Sequence, residues 1–509
     1  MDRRRLALFG LPAALALACG GHGKAEPASH ASPELDALWR LAPAQLTLGI
    51  VGTAHAADEL IGSYDALHAV LATPELAPLG DALARSSPLL AAPPAKLGLG
   101  ARPFAYFATA DDTIYILPVV DRDAFVAAMS GTRGSGADAD TFGPMRCRSI
   151  DAYYACAKQD ADLDALLARS AAPPPPVDAL DVRGDLEIAM PAARLALGSG
   201  ELVAAALLER GTADVHVVVT GAPRGRLAAL AALHPLPPPA AGAAGFAVAD
   251  LSPLMADAPA TPLVPGATAA DLVRSLKGPV AIAMPGNAFD LQLHAPLIDP
   301  KPFTALLARC SDLGTLAPEL QLSPKLAADG ACRVDIPGAA NLALEVWLEG
   351  NELRAGAQRG SAVAGAAVPL TAVGHDLASG DWQYAAWGRG SLLAPADVAY
   401  TATMGTPPTL RLFSLIAEAG AGVRVAADGI HARVYVRTIF ANPPDVAQKL
   451  LAIGADDLAA NRAGTLATGI AAGAPQSPFA TDIRAGQNGV MLPLALGFIV
   501  AQEYGSFAK

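Results

Sequence analysis

The sequence predicts an α+β fold of two homologous halves, each built from strand–strand–helix units on antiparallel sheets. The first observation is a phrase that occurs twice, "PVVDRDAF" at residues 118–125 and "PLIDPKPF" at residues 296–303. The second is the pattern around each phrase, where two apolar runs separated by a turn precede it and a helical stretch follows it. The third is the length of 509 residues, which exceeds what one ordinary hydrophobic core holds.

Each copy begins with a predicted β-hairpin. The segment "PFAYFATADDTIYIL" leads to Pro118 and turns at an Asp-Asp pair, whereas "PVAIAMPGNAFDLQLHA" leads to Pro296 and turns at Gly-Asn. Alternating apolar residues on both sides of such turn residues are typical of paired antiparallel strands.

Each copy then continues as a predicted helix. Asp121 and Asp299 stand at the N-cap position, where a carboxylate accepts hydrogen bonds from the free amides of the first turn. Pro300 fits the first helical position. Phe125 and Phe303 lie four residues after each Asp, on the apolar side of the helix. We interpret the repeated Asp and Phe as cap and core residues, not as a paired active site.

A second match sets the domain boundaries. Residues 184–189 read "GDLEIA" and residues 380–385 read "GDWQYA", which extends the similarity along both halves. The predicted organisation is a signal peptide at 1–18, a flexible tether at 19–35, half one at 36–235, a Pro/Ala/Gly linker at 236–245, half two at 246–465 and a C-terminal tail at 466–509.

The N-terminus is similar to a bacterial lipoprotein signal. Arg3–Arg5 form a positive segment, Leu6–Leu17 form an apolar core too short to anchor in a bilayer, and Cys19 follows after Ala18. This pattern predicts that a lipid is attached to Cys19 after cleavage. Because Ala16 and Leu17 are interchanged relative to the usual lipoprotein box, an ordinary secretory signal remains the alternative.

The residue after Cys19 bears on the destination. Gly20 stands where an Asp would favour the inner membrane, so resemblance to the sorting pattern of envelope lipoproteins predicts the outer membrane. The small and polar residues up to position 35 then predict a tether on the periplasmic side.

The other four cysteines indicate an oxidising compartment. They are Cys147, Cys156, Cys310 and Cys332, and four cysteines allow three pairings that spacing alone does not decide. If "MRCRSIDAYYACAK" folds as a hairpin with a two-residue loop at 151–152, Cys147 faces Cys156 at a non-hydrogen-bonded pair, where a disulfide fits. Cys310 and Cys332 then form the second disulfide. The repeated phrase recurs 178 residues later, and position 156 shifted by that offset falls close to Cys332. This predicts that a disulfide is attached to the same strand in both halves.

These features together resemble a loose group of duplicated, exported bacterial proteins of unknown function, many of them lipid-anchored. The group carries the short phrase Pro-Val-x-Asp-x-x-x-Phe after a hairpin, seen here at residues 118–125. The resemblance implies the duplicated architecture and the envelope location. It implies no catalytic residues.

Composition limits the classes of partner. The formal charge is −12 without any Lys/Arg run beyond the N-terminus, which argues against nucleic-acid binding. Only 5% of residues are aromatic, too few to predict rows of stacking platforms or a carbohydrate-binding face. The sequence also holds no nucleophile elbow, Walker motif or closely spaced metal ligands.

Two groups of weaker site candidates lie in segments that are predicted as strands. His216, His294 and His431 would approach one another only if their strands stack, and we expect unrelated positions on strand faces instead. Trp382 and Tyr384 share one predicted strand face, where core packing is favoured over a ligand platform. No catalytic, cofactor-binding or metal-binding residue is therefore predicted.

The sequence favours a lipid-anchored, non-enzymatic protein of the bacterial cell envelope. Its expected partners are the membrane through Cys19 and either another envelope protein or a small apolar ligand. Two alternatives stay open. One is an exported hydrolase with an unrecognised site, and the other is a structural or assembly component of an envelope complex.

Overall fold

A computed structural model shows how the chain folds. It describes residues 33–43, 45–72, 92–110, 112–135, 139–168, 180, 183–191, 200–209, 211–221, 243–249, 262–286, 291–315, 324–335, 343–356, 369–379, 381–393, 416–426 and 429–438. The predicted signal peptide, Cys19 and the predicted tail at 466–509 lie outside these ranges. The chain divides into two compact units, formed by residues 1–222 with 428–509 and by residues 223–427. Each unit is described by itself.

Unit 1 contains four helices and ten strands in its described residues. The helices are α1 (Pro33–Trp39), α2 (Ala54–Leu71), α3 (Arg122–Ala128) and α4 (Asp160–Ala168), with a 3-10 turn at Pro94–Leu97. The strands are β1 (Leu48–Gly52), β2 (Phe104–Ala108), β3 (Thr113–Leu117), β4 (Asp140–Phe142), β5 (Met145–Ile150), β6 (Tyr153–Ala157), β7 (Leu186–Pro191), β8 (Glu201–Glu209), β9 (Thr212–Thr220) and β21 (Gly429–Thr438). The strand β21 falls within the predicted half two, but it pairs with β9 and belongs to unit 1.

Unit 2 contains the remaining described elements. Its strands are β10 (Gly245–Ala249), β11 (Pro262–Val264), β12 (Ala267–Thr268), β13 (Val280–Met284), β14 (Gln292–Pro296), β15 (Pro324–Leu326), β16 (Cys332–Asp335), β17 (Ala343–Glu349), β18 (Glu352–Gly356), β19 (Tyr384–Arg389) and β20 (Ile416–Val425). Its helices are α5 (Ala269–Arg274), α6 (Lys301–Ala308) and α7 (Ala372–Leu377), with 3-10 turns at Cys310–Thr315 and Gly390–Leu393.

The predicted α+β class is wrong. The described strands form antiparallel ladders of ten strands in unit 1 and nine in unit 2, and the described residues are 47% strand and 24% helix, which makes each unit β-rich. The physical reason is that the hairpins pair mainly with further hairpins, so that neighbouring strands satisfy the backbone hydrogen-bonding groups at each strand edge. The short helices cover the sheets, and a two-strand unit precedes a helix only in places, as at β2–β3–α3 and β13–β14–α6, whereas three strands precede α4 and four precede α7. The segment "ELVAAALLE", now β8, shows how a run of Ala and Leu becomes a strand when the sheet buries it on both faces.

The same order of strands occurs in both units. In unit 1 the ladders run β4-β5-β6-β3-β2-β1-β7-β8-β9-β21. In unit 2 they run β15-β16-β17-β18-β14-β13-β10-β19-β20. Eight strands of unit 1, from β4 to β8, therefore have counterparts in unit 2, from β16 to β20, in the same spatial order.

The repeated phrase forms the same hydrogen-bonded crossing in each unit. In unit 1 the amide of Gly100 donates to Pro118 at 2.9 Å, and the amide of Val120 donates to the carbonyl of Gly98 at 2.8 Å. Gly98 adopts a φ of +75°, and a Cβ there would lie 2.2 Å from the Asp121 carbonyl oxygen. These two hydrogen bonds mark the end of β3 and direct the backbone towards α3.

In unit 2 the counterpart bonds run from the amide of Lys277 to Pro296 at 2.8 Å and from the amide of Ile298 to Ser275 at 2.6 Å. An isolated bridge lies between these two bonds in each unit, and it joins Leu99 to Val119 in unit 1 and Leu276 to Leu297 in unit 2. The phrase is therefore a structural element of both units.

The predicted capping carboxylates and core residues are present, but α6 begins at Lys301, so Pro300 stands at its N-cap and not at its first helical position. The carboxylate of Asp121 accepts from the amides of Asp123 at 3.1 Å and Ala124 at 3.0 Å. Asp299 accepts from the amide of Lys301 at 3.0 Å. Phe125 and Phe303 are both buried under their helices. Amides at the start of a helix need such acceptors because they have no partner within the helix.

Helices cover both faces of the unit 1 sheet. One core packs α1 and α4 onto one face through Leu35, Leu38, Trp39, Leu163 and Leu166. On the opposite face, Ala56 of α2 packs on β7 to β9, and Phe125 of α3 packs on β3 and β6. Strand alternation makes this division, because successive side chains point to opposite faces.

Both predicted disulfides are present. Cys147 on β5 pairs with Cys156 on β6 at a Cα separation of 4.0 Å, in the register that the two-residue turn predicts. Cys310, just after α6, pairs with Cys332 on β16 at a Cα separation of 5.4 Å. Both bonds are buried.

The two disulfides do not tie equivalent strands, so this part of the prediction is wrong. The ladders show that Cys156 corresponds to Ala355 on β18, whereas Cys332 corresponds to Asp140 on β4. A shift counted along the sequence misses this because the segments between the strands differ in length. In unit 2 the disulfide anchors β16, whereas in unit 1 the ion pairs of Asp140 anchor the equivalent strand β4.

Removing the two disulfides is expected to destabilise the units unequally. The closed segments span 9 and 22 residues. Loop-closure entropy predicts losses of about 2.6 kcal/mol for Cys147→Ser/Cys156→Ser and about 3.4 kcal/mol for Cys310→Ser/Cys332→Ser. Urea unfolding of the full chain, followed by proteolysis and mass spectrometry to report each unit, measures both values. Loss of stability in the same unit for both double variants would contradict the assignment.

Candidate functional site

The predicted site residues lie as follows. Cys19 is outside the described residues, and the four other predicted cysteines form the two disulfides. His216 and His431 share one face of the β9–β21 ladder, where His216 faces Arg433 and His431 faces Val218. His294 lies on β14 of unit 2. Within the described ranges, no three or more His, Cys, Asp or Glu side chains are placed to hold a metal ion.

Asp140 is a fully buried carboxylate that acts as a structural tie. It accepts from Arg122 Nε at 2.6 Å, Tyr154 Oη at 2.6 Å and the amide of Gly134 at 2.8 Å, and Arg133 lies at 3.2 Å. Burial, followed by the hydrogen bond to Asp140, raises the pKa of the Tyr154 phenol far above its ordinary value. These donors join α3 and the loop after it to β4 and β6, and they occupy both carboxylate oxygens.

Two other buried carboxylates bind indole N–H groups. Glu187 on β7 accepts from Trp39 Nε1 at 2.8 Å and pairs with Arg183, which holds α1 on the sheet. Glu418 on β20 accepts from Trp387 Nε1 at 2.7 Å and from the hydroxyl of Thr371. Trp387 is therefore a buried core residue, and we assign both carboxylates a structural role.

The polar groups of the β9–β21 ladder form a second charged centre. Arg433 Nε donates to Asp214 Oδ1 at 2.9 Å, and His216 Nε2 lies 3.3 Å from the same oxygen. Burial alone would raise the pKa of Asp214, but the hydrogen bonds from His216 and Arg433 lower it below its ordinary value. This bidentate pair joins the two long strands across a sequence separation of 219 residues.

A third group lies at the start of α2. Asp185 accepts from the amide of Leu208 at 2.9 Å, and burial raises the pKa of its carboxyl. The pKa of Glu209 is also raised, by burial and by the charge of Asp185, while His55 lowers both. Nothing further in the described chain converges on this acidic pair, so we do not assign it a function.

The strongest candidate for a binding role is a polar surface on the unit 2 sheet, which we call the Trp347 face. Its side chains project from five adjacent strands in register, because residues directly opposite each other share a face. The members are Gln292, His294, Lys325, Arg333, Asp335, Glu345, Trp347, Glu349, Glu352 and Arg354.

Trp347 lies near the middle of this face. It stands opposite Arg354, which in turn stands opposite His294 on the next strand. The six-membered part of its indole lies 3.6 Å and 3.8 Å from the position that a Cβ of Gly356 would occupy. The absent side chain of Gly356 thus lets the ring extend over the neighbouring strand, and Trp347 remains half-buried.

The charges on the Trp347 face pair with one another. Arg354 reaches Glu349 at 2.9 Å and Glu352 at 2.8 Å. Asp335 receives Lys325 and Arg333, each at 3.1 Å. The hydrogen bonds from Arg333 and Lys325 lower the pKa of Asp335. The face is therefore highly polar, but its local charge is nearly balanced.

The equivalent positions in unit 1 form a buried core. The ladders place Ile116 where unit 2 has His294, Ala155 where it has Arg354, and Ala157 where it has Gly356. These unit 1 residues are buried with Leu163 and Leu166 of α4. In unit 2, α6 packs on the opposite face of the sheet, and α7 packs on β19 and β20. The same fold position thus has an apolar, helix-covered face in unit 1 and a polar face in unit 2.

Sequence reasoning missed the Trp347 face. The signal is present in "ALEVWLE", where Glu345, Trp347 and Glu349 alternate with apolar residues at the strand period of two. The significance of the pattern depends on which strands lie beside β17, and local sequence does not contain that information. The predicted aromatic pair Trp382 and Tyr384 lies elsewhere, and Trp382 packs beside the core of α7.

Comparison with known proteins adds no functional assignment. No protein-family model, curated protein or solved structure matches the chain. Among the described helices, none has both the length and the apolar character needed to cross a membrane.

Replacing Asp140 is expected to weaken unit 1 strongly. Asp140→Asn removes the charge that Arg122 and Arg133 need, and breaking such a pair costs about 3 kcal/mol of unfolding free energy. Urea unfolding measures the change, with Asp335→Asn as the control because its partners are exposed. Equal effects of the two substitutions would contradict the structural role of Asp140.

The Asp214 pair predicts a dependence of stability on acid. Its folded pKa is lowered, so its contribution is fully present above the unfolded value of about 3.9 and is lost as pH falls through the folded value. The unfolding free energies of wild type and Asp214→Asn should differ at pH 7 and converge below pH 4. Chemical unfolding across this range tests it, and a constant difference down to pH 2 would exclude the contribution.

Proposed function

We propose that the chain is a lipid-anchored protein of the bacterial cell envelope, whose folded body binds a ligand or partner without catalysing a reaction. The observation that carries the binding role is the Trp347 face. A duplicated fold has polar residues there at positions that are buried core residues in the other unit. Selection for packing alone would keep such positions apolar.

The location rests on two kinds of support. The sequence places Cys19 directly after an apolar segment typical of an export signal. The folded body contains two buried disulfides, one in each unit, which suit an oxidising compartment such as the periplasm. Gly20 favours the outer membrane as the destination.

The proposed non-enzymatic role is supported by how three of the buried carboxylates are used. Asp140, Glu187 and Glu418 are each held by arginine, hydroxyl or indole donors that connect elements of the fold. A general acid or base needs a carboxyl that is free to exchange a proton with a substrate. These three carboxylates are instead committed to structural hydrogen bonds.

Replacing Cys19 tests the location. The full chain is expressed in a Gram-negative bacterial host that is fed radiolabelled palmitate. The wild type should take up label and fractionate with the outer membrane, and Cys19→Ser should do neither. The matched variant Gly20→Asp should keep the label and move to the inner membrane. A wild-type chain that stays unlabelled and is released as a soluble cleaved product would support ordinary secretion instead.

A further inference from the structure

We propose that each unit carries a site that contacts the surface of an anionic phospholipid bilayer, formed where the repeated phrase crosses a neighbouring segment. We call these the crossing sites, and they comprise residues 96–102 with 118–121 in unit 1 and residues 274–277 with 296–301 in unit 2. The inference goes beyond the proposed binding role of the Trp347 face. It does not depend on lipidation of Cys19.

Each crossing site exposes one aliphatic side chain at the same place in the fold. Val120 is 50% accessible and Ile298 is 65% accessible, and Leu326 is the only other large apolar side chain among the described residues that is exposed. In each unit the preceding residue, Val119 or Leu297, is buried in the core, whereas Val120 and Ile298 belong to neither core cluster. A residue that only fastened the helix start would be buried against the helix. The repeated exposure therefore indicates a contact surface.

The backbone holds both side chains in place. The amide of Val120 donates to Gly98 and the amide of Ile298 donates to Ser275, so neither residue is free to turn into the core. In unit 1 the Val120 side chain also lies over Gly100, where a Cβ would come within 2.6 Å of it. A partner that covers these side chains therefore does not have to order the backbone first.

Unpaired cations lie beside both aliphatic residues, within three positions along the chain or across the crossing. Unit 1 has Lys96 and Arg102, which precede and follow the segment that Val120 crosses, and both are exposed. Unit 2 has Arg274, Lys277 and Lys301, and these are exposed as well. Within the described part of the chain, none of the five lies at ion-pair distance from a carboxylate. They are therefore available to an anionic partner.

The carboxylates near the crossing sites are already engaged. Asp121, Asp271 and Asp299 accept hydrogen bonds from amides at the starts of helices. Asp123 and Glu352 each pair with an arginine, at 2.8 Å in both cases. The free charges at the crossing sites are thus positive, although the whole chain has a formal charge of −12.

An anionic bilayer fits this combination of groups. Phosphate headgroups attract free cations at the membrane surface, and an aliphatic side chain among those cations enters the apolar layer just below. A purely apolar ligand would leave the cations unused. An acidic protein would satisfy the cations but would need a matching pocket for each aliphatic side chain, whereas a bilayer accepts one at any point of its surface.

Sedimentation with vesicles tests the proposal. The full chain, in the Cys19→Ser form so that no attached lipid contributes, is mixed with phosphatidylcholine vesicles that contain about 30% phosphatidylglycerol. It should bind these vesicles and not pure phosphatidylcholine, and raising NaCl from about 0.1 M to about 0.5 M should weaken binding severalfold. Val120→Ser/Ile298→Ser should weaken binding about tenfold or more. Lys277→Gln should weaken it about fivefold.

Matched substitutions elsewhere in unit 2 serve as controls. Leu326→Ser and Lys325→Gln remove an exposed apolar group and an exposed cation from β15, which three strands separate from β14, and should leave vesicle binding unchanged. All the substituted side chains are exposed, so thermal unfolding should also stay unchanged. Insertion is read separately, because lipids with brominated acyl chains should quench the added fluorescence of Ile298→Trp and not that of Leu326→Trp.

Absence of wild-type binding to the anionic vesicles would overturn the proposal, as would equal losses of binding in the crossing-site variants and in the controls. Binding to polyglutamate without binding to vesicles would assign the crossing sites to an acidic protein and overturn it equally. None of these results would alter the palmitate labelling at Cys19, so the two proposals fail separately.

Discussion

The hydrogen bond from the amide of Val120 to the carbonyl of Gly98, repeated between Ile298 and Ser275, determines where each sheet passes into its helix. It fixes the end of β3 and of β14 and places the capping Asp at the first turn of α3 and of α6. Each of these helices is thereby committed to one face of its sheet, on which Phe125 or Phe303 is buried. What covers the other face is then decided separately in each unit, and the two units differ there.

That difference explains how one fold provides both a core and a surface. In unit 1, Arg148 and Arg146 pair with Asp164 and Asp160 of α4, so the helix lies over β5 and β6. In unit 2 the residues at the two arginine positions are Trp347 and Glu345, and their neighbours pair among themselves on the sheet. The strand order is unchanged, because it depends on backbone ladders and on the apolar residues of the opposite face.

Local features were predictable from sequence and long-range ones were not. The caps at Asp121 and Asp299 and the register of Cys147 with Cys156 follow from residues a few positions apart, where turn and cap chemistry decides the conformation. The strand β8 was not predictable in this way, since Ala and Leu favour helices and only burial between β7 and β9 makes the segment a strand. The Trp347 face requires the same kind of information, because its members come from five strands.

In each unit, one bond holds an edge strand to the segment after the preceding helix. The strand is β4 in unit 1 and β16 in unit 2, and the type of bond affects how each unit can form in the cell. In unit 1 the tie is ionic, through Arg133 and Asp140, and is available to a newly made chain in any compartment. In unit 2 it is the covalent bond between Cys310 and Cys332, which forms only under oxidising conditions. For a chain that crosses the inner membrane, unit 2 would lack this bond in the cytoplasm and gain it on arrival. If the chain is exported, unit 2 would therefore be held together less firmly before export than after oxidation, when the bond between Cys310 and Cys332 forms.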